Sequence, residues 1–393
     1  MRRFISMVRS LGIDPGTKSF DLVIVEDGEV VWEDSIATEK VAENPEKLTE
    51  ELIRFEKEVD IIVGPSGYGA PYICNEDIID PKLFASEILL LTSANLLRKK
   101  EEDLGFAVYR AIYKLVGQLW KKKLNVCYIP SVKQLGTVDL SFKINKIDLG
   151  TADKLASTFL GAYILKNSTE NIKSKKDFLL LELGFGYNAL IHVKDGVIYG
   201  GLGGTSLGPG FITPGPIDLE LVVAGKWKRN SVWSGGINVA CKGESMSEVF
   251  TKEENRTCAS YVKTMISSIR SGLTYLEASN DETIIVSGRW ADIDVVKTIE
   301  EILGVPIFVS RPKLKGATFS KEAAQGMAML GDAMLRGRFS SLFGEMRLNE
   351  AKGTVMDHIY IPALKPAIMR HVEAYRRSIK AEKVNEILES SII

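Results

Sequence analysis

The chain is poor in cysteine and histidine, with four of the first and three of the second in 393 residues. Cys74, Cys127, Cys241 and Cys258 form no C-x-x-C pair, so neither a zinc ligand set nor a redox dithiol is signalled. Four free, mostly buried thiols in a reducing compartment are expected. His192, His358 and His371 are isolated and read as structural or exposed. Long apolar runs are missing too. The stretch around Ile88–Leu97 is broken by Thr92, Ser93 and Asn95, well short of the roughly 18–20 residues a membrane span needs. The opening Met1-Arg2-Arg3 is basic, but no small-residue cleavage site follows a sustained apolar stretch, so no export signal is read. A surplus of either charge is also absent: the net charge of -1 argues against a broad basic field of the kind that holds nucleic acid. A cytoplasmic protein with no membrane and no nucleic-acid partner is the expectation.

The apolar fraction of 45% and charged fraction of 26% are ordinary for a globular protein, and the length allows two cores. An internal repeat organises them. Leu11-Gly12-Ile13-Asp14-Pro15-Gly16 is followed by the apolar run Leu22–Val25 and the pair Asp27-Gly28. Without a gap, Leu179-Leu180-Leu181-Glu182-Leu183-Gly184 is followed by Leu190–Val193 and Asp195-Gly196. An Asp-Gly pair between apolar runs predicts a type I′ hairpin, because both central residues of that turn need positive φ. Each copy therefore reads as strand, acidic turn, strand, hairpin, strand. Short apolar strands follow at Ile61-Ile62-Val63-Gly64 and Ile284-Ile285-Val286-Ser287-Gly288, then at Asn125–Ile129 and Val305–Val309. Helices rich in small residues close the halves at Thr151–Leu165 and Lys321–Leu335. The pattern predicts an α/β duplication with a first half at 1–175 and a second at 176–393, joined near the polar stretch Asn167–Asp177. Glu373–Leu388 reads as a charged surface helix, with its packing left open.

Asp14-Pro15-Gly16-Thr17-Lys18 supplies what terminal phosphates need. Gly16 lets backbone N–H groups approach an oxyanion, the Thr17 hydroxyl donates, Lys18 adds positive charge, and Asp14 can hold magnesium directly or through water. A plain turn is the alternative, made less attractive by the second copy. That copy, Glu182-Leu183-Gly184-Phe185-Gly186, keeps the glycines but has Glu for Asp and no hydroxyl after the first glycine. Gly184-Phe185-Gly186-Tyr187-Asn188-Ala189 fits a loose dinucleotide fingerprint, yet it opens a strand where that motif must open a helix. The glycine run Gly200–Gly210, with Gly203, Gly204 and Thr205, offers N–H groups for an anion or serves as a lid. Gly288 and Arg289 end a buried strand where a base or ribose could rest. No Walker loop is present.

The two hairpins, the strand ending Ile285-Val286-Ser287-Gly288 and the paired small-residue helices resemble the phosphate 1, phosphate 2, adenosine and connecting motifs of a large ATPase superfamily. It contains sugar kinases, actin, heat-shock chaperone ATPases, and acetate and butyrate kinases. The likeness spans about residues 11–335, and the whole is most similar to a mostly archaeal group of predicted butyrate kinases. Gly208-Pro209-Gly210-Phe211-Ile212-Thr213-Pro214 is similar to the Gly-Pro-Phe-Ser/Thr-Pro stretch of carboxylate kinases. The resemblance implies duplicated ribonuclease H-like domains of actin-like ATPase type, with ATP and magnesium in a cleft between them. Asp14, Gly16, Thr17 and Lys18 would face phosphate and metal; Glu182, Gly184 and Gly186 the other side of the phosphates; Gly288 and Arg289 the adenosine. Two departures stand out: Glu182 replaces the usual Asp, and Gly215-Pro216 stand where carboxylate kinases carry an arginine.

Related enzymes take an acceptor-orienting carboxylate from the first half, which points to Asp148 and Asp153; the competing role is a helix capped by Thr151 with Asp153 in its first turn, favoured by the dipole. Their second substrate binds after the strand that here ends in Gly64, which points to Ser66, Gly67 and Tyr68. The expected function is an ATP-dependent kinase with a small carboxylate or alcohol as acceptor. The alternatives are a non-kinase ATPase that switches a protein partner, or a nucleotide sensor. Reductase activators of this fold carry clustered cysteines, which are not seen here, and chaperones an added peptide-binding domain, which is not expected of the 58 residues after Leu335. A homodimer stays open.

Overall fold

The computed structural model describes residues 7–90, 92, 97, 104–225, 227–243, 245–251, 256–305 and 307–388. Met1-Arg2-Arg3 and parts of the Ile88–Leu97 stretch lie outside them. The chain divides into two compact units, one of Met1–Ile164 with Lys313–Ile393 and one of Leu165–Pro312. The expected second half, 176–393, is thus divided after Pro312, with the remainder returning to the first unit.

In the first unit, β1 (Arg9–Pro15), β2 (Ser19–Glu26) and β3 (Glu29–Ala37) form an antiparallel meander. β4 (Ile61–Val63) runs parallel to β1; β5 (Ile73–Cys74) and β6 (Val126–Tyr128) complete a sheet of order β3-β2-β1-β4-β6-β5. Helices cover both faces, which is why β1, β2, β4 and β6 are buried along nearly their whole length, while β3 at the sheet edge keeps Glu29, Glu33 and Asp34. Leu11, Ile13, Phe20, Leu22 and Ile24 point into a core shared with Leu48, Leu52, Phe84, Leu115 and Leu119. On the opposite face the helix Glu322–Met334 lies against β1. That packing draws the end of the chain into this unit. The charged C-terminal stretch forms the helices Lys365–Ser378 and Ala381–Ile387, and its Tyr375, Ile379, Val384 and Ile387 are buried in the same core.

The second unit repeats the plan. β7 (Phe178–Leu183), β8 (Asn188–Lys194) and β9 (Val197–Leu202) form the meander, β10 (Thr283–Ser287) runs parallel to β7 and β11 (Ile307–Ser310) parallel to β10. Its order is β11-β10-β7-β8-β9, the first sheet without an equivalent of β5. Both hairpin turns are of the expected kind, with φ of 46° and 84° at Asp27-Gly28 and 54° and 82° at Asp195-Gly196. The meanders also share an irregularity: the register slips between Ile24 and Val25 in one and between His192 and Val193 in the other. These positions coincide when Asp14 is laid on Glu182. A bulge at matched positions is the mark of duplication, since bulges are kept as features of a sheet.

The cysteines correct one expectation. Cys74 is disulfide-bonded to Cys127 and Cys241 to Cys258, leaving no free thiol. Cys74 and Cys127 are register partners on β5 and β6, brought together by the sheet and not by local spacing. With all four paired, cysteine content no longer argues for a reducing compartment. Among the described residues no helix is long and apolar enough to cross a membrane.

Candidate functional site

Asp14 ends β1 with its carboxyl buried, and its register partner on β2 is Asp21, also buried. Two carboxylates side by side in a sheet need a counter-charge, and it comes from the start of the helix Glu322–Met334. Lys321 places its Nζ 3.4 Å from Asp14 Oδ2, 3.6 Å from Asp21 Oδ1 and 3.0 Å from the Ser19 carbonyl oxygen. The Lys321 backbone N–H donates to Asp21 Oδ2 at 3.0 Å, while the Ser19 and Ser35 hydroxyls donate to Asp21 Oδ1 at 2.9 and 2.7 Å. Asp21 is therefore a strut that fixes the helix to the hairpin. Asp14 accepts from Lys321, and burial pushes its carboxyl up to about 6, with Asp153 and Asp21 adding to the rise and Lys321 opposing it.

Gly16 matters here for a reason the motif alone does not give. A Cβ on it would lie 2.5 Å from Lys321 Nζ and 2.8 Å from the Ser19 oxygen, so the missing side chain makes room for the ammonium. Its own N–H is spent closing the turn, donating to the Asp14 and Ser19 carbonyls at 3.1 and 3.0 Å. The hairpin tip is left to Thr17, half-buried, and Lys18, exposed.

The same unit brings the other expected carboxylates to the start of the helix Ala152–Asn167. Asp153 pairs with Lys154 and accepts from the Thr151 hydroxyl. Burial alone would raise its carboxyl, but the Lys154 ammonium and the hydrogen bonds from Lys154 and Thr151 hold it below the ordinary range. Asp148 differs: it accepts one backbone bond, from Gly150 N–H at 2.9 Å, and burial raises it above the usual range. The two carboxylates thus have opposite electrostatics, one a fixed anion and one a group able to take a proton.

The loop after β4 meets this helix start, since Ala152 N–H points to the Gly67 carbonyl at 3.4 Å. Ser66 is wholly buried; its hydroxyl donates to the Gly64 carbonyl and accepts from Ile129 N–H, both at 2.9 Å. It braces the loop from inside. Gly67 and Tyr68 are half-buried, and the Tyr68 hydroxyl lies 3.3 Å from that of Tyr109.

In the second unit Glu182 occupies the place of Asp14. Its β8 partner is Ala189, so no second carboxylate faces it. Instead the Ser287 hydroxyl donates to Glu182 Oε2. Gly288, at φ 96°, passes so close that a Cβ would lie 2.8 Å from Glu182 Oε1 and 2.6 Å from the Leu183 oxygen. Beside it Arg289 is exposed and lies over the Phe185 ring at 6.0 Å. Gly186 accepts from the Thr213 hydroxyl at 2.8 Å, which ties the hairpin to the glycine-rich stretch. Gly184 is half-buried at the hairpin, while in the loop beyond β9 Gly203 is buried, Gly204 half-buried and Thr205 exposed.

A model of the family described as "Protein of unknown function (DUF1464)" matches residues 12–361. The chain belongs to that family. No curated protein matches the chain in sequence. Among solved structures, a propionate kinase from Francisella tularensis is similar with a TM-score of 0.54 and 11% identity, over 82% of this chain and 98% of that one. An acetate kinase from Entamoeba histolytica gives 0.48 and 12%, over 75% and 86%. At 11% identity the propionate kinase likeness speaks for fold, and this member of the family has the two-unit α/β fold of the actin-like ATPases.

Sequence reasoning missed three residues of this family member's first-unit cluster: Asp21, Lys154 and Lys321. Asp21 had a legible signal, a charge inside the otherwise apolar run Phe20-Asp21-Leu22-Val23. Lys321 had only its place before the second small-residue helix. Its meaning depends on that helix folding back onto β1.

Proposed function

We propose that the chain is an ATP- and magnesium-dependent phosphotransferase acting on a small acceptor, with a short carboxylate as the first class to test. One observation supports this above the rest: a buried Asp14 near the end of β1, beside the Lys321 ammonium and within electrostatic reach of the Asp153–Lys154 pair at a helix start. Phosphoryl transfer is mostly positioning and charge neutralisation, and this cluster offers both.

The donor set fits magnesium, a hard cation that uses one or two carboxylates and leaves its other positions to phosphate and water. Among the described residues no group of three or more His, Cys, Asp or Glu could hold a metal by itself. Asp14 would hold the ion, which would supply positive charge at the phosphates when bound. Lys154 keeps Asp153 ionised and fixed. Asp148 is the group able to accept a proton from an alcohol, a service that a carboxylate acceptor does not require. Thr17 and Lys18 at the hairpin tip would donate to phosphate oxygens, Gly288 and Arg289 would border adenosine, and Tyr68 would touch the acceptor. In the second unit Glu182, Gly184 and Gly186, with Gly203, Gly204 and Thr205, would take the other phosphate contacts.

A second reading, a switching ATPase or nucleotide sensor, draws support from Glu182, whose carboxylate is already engaged by Ser287. ADP release with magnesium, measured against short carboxylates, sugars and other alcohols with a no-acceptor control, separates the two. Acceptor-dependent release supports the phosphotransferase, and release indifferent to every acceptor supports the switch. Absence of both ATP binding and release would overturn the proposal.

A further inference from the structure

The Asp14 hairpin is charge-compensated from within. Lys321 is anchored on the turn by the Ser19 carbonyl at 3.0 Å and stands within 3.4 and 3.6 Å of Asp14 and Asp21. The volume it fills is the one a side chain on Gly16 would take, 2.5 Å from the Nζ. Its side chain is 17% exposed and the two carboxylates 5% and 3%, so solvent screens these charges little. The position is also held through the backbone, because Asp21 accepts the Lys321 N–H.

We propose that Lys321 is the resident counter-ion of Asp14 and excludes free divalent metal from it, so that metal enters this site only together with a polyphosphate. A divalent ion bonded to Asp14 would sit next to a buried ammonium, and the two cations would repel each other in a poorly screened setting. A nucleotide's phosphates bring the anionic charge that lets both cations stay. Lys321 thereby makes metal binding conditional on nucleotide and keeps the cluster from being a general metal trap. This rests on the assignment of Asp14 to metal and phosphate made above.

Manganese is the probe, followed by its free-ion electron spin resonance signal and by calorimetry on the full chain. Without nucleotide, the wild-type protein is expected to show no manganese site that Asp14→Asn removes. With ADP added, such a site is expected to appear. Lys321→Met should bind manganese without nucleotide at least tenfold more tightly than wild type, and adding Asp14→Asn should abolish that gain. Lys321→Arg should keep the exclusion. Manganese binding to nucleotide-free wild type that Asp14→Asn weakens would overturn the proposal, as would a folded Lys321→Met with unchanged affinity. Should Lys321→Met fail to fold, the comparison of wild type with Asp14→Asn still decides. The phosphotransferase reading fails on a different measurement, the absence of nucleotide binding and ADP release.

Discussion

Lys321 lies 307 positions from Asp14 in sequence, yet its ammonium stands 3.4 Å from Asp14 Oδ2. That pairing joins the first strand of the first repeat to the last helix of the second, so the charge balance of the hairpin and the fold of the whole unit are one problem. It leaves Asp14 buried and, despite the ammonium, raised to about 6.

A raised carboxyl has a signed consequence for stability. Asp14 moves from 3.8 to about 6, so the folded chain holds its proton more tightly than the unfolded one. This contribution favours folding below about pH 4 and is lost as pH rises through about 6. Asp14→Asn removes the burial of that charge and should stabilise the protein above pH 6 by of order 1–3 kcal/mol, with no gain near pH 4. Urea melts at the two pH values measure it. The same variant should lose magnesium-dependent ADP release, and a variant that melts higher yet retains turnover would remove Asp14 from the phosphate site.

Asp148 and Asp153 should respond differently to the same change. Asp148→Asn keeps an acceptor for the Gly150 N–H and should fold normally. If the acceptor is an alcohol, kcat should fall about 100-fold or more through loss of the base; with a carboxylate acceptor it should change little. Asp153→Asn instead removes the charge of the Asp153–Lys154 ion pair, and should lower stability by about 1–3 kcal/mol whatever the acceptor. Parallel kcat and melting measurements on the two variants read both effects.

His192 offers a test of the second unit alone. Its Nδ1 lies 2.8 Å from the Leu276 carbonyl and its Nε2 2.9 Å from Glu282 Oε1. Both partners are oxygens, so the buried ring bridges a backbone carbonyl and a carboxylate. His192→Leu should cost about 2–4 kcal/mol, because it removes the partner of the Leu276 carbonyl and of Glu282 Oε1, while Oε2 keeps the Ser279 N–H. His192→Gln, which keeps a donor, should cost less. Chemical denaturation compares them.

Much of the architecture was legible because duplication doubles every signal. Asp27-Gly28 and Asp195-Gly196 each mark a hairpin, and the strands before and after them fall where apolar runs do. The polar partnerships of the site were not legible. Asp153–Lys154 is local in sequence, but Asp14–Lys321 and Glu182–Ser287 depend on which helix lies on which strand, a fact of packing that no short window contains. Ser66 shows the opposite failure: a hydroxyl among glycines looks available in sequence, while in the fold both of its hydrogen-bonding roles are used by Gly64 and Ile129. The cysteines failed for the same reason as Lys321, since spacing rules read neighbours in the chain and Cys74 and Cys127 are neighbours in a sheet.

The disulfides therefore carry a prediction of their own. Cys74–Cys127 closes a separation of 53 residues and Cys241–Cys258 one of 17. On chain entropy alone these crosslinks stabilise by about 4 and about 3 kcal/mol, the longer loop contributing more because its closure restricts the unfolded chain more. The units can be told apart by where each bond lies. Cys74→Ala with Cys127→Ala should lower the unfolding midpoint of the first unit, and because Gly64 N–H donates to the Cys127 carbonyl at 2.9 Å, it should also loosen the loop that carries Tyr68. Cys241→Ala with Cys258→Ala should act on the second unit only. Thiol titration of the native and denatured protein, with and without a reductant, gives the pairing directly. Four thiols titrating in unreduced, denatured protein would mean that neither bond forms, and the melting midpoint should then be indifferent to reductant.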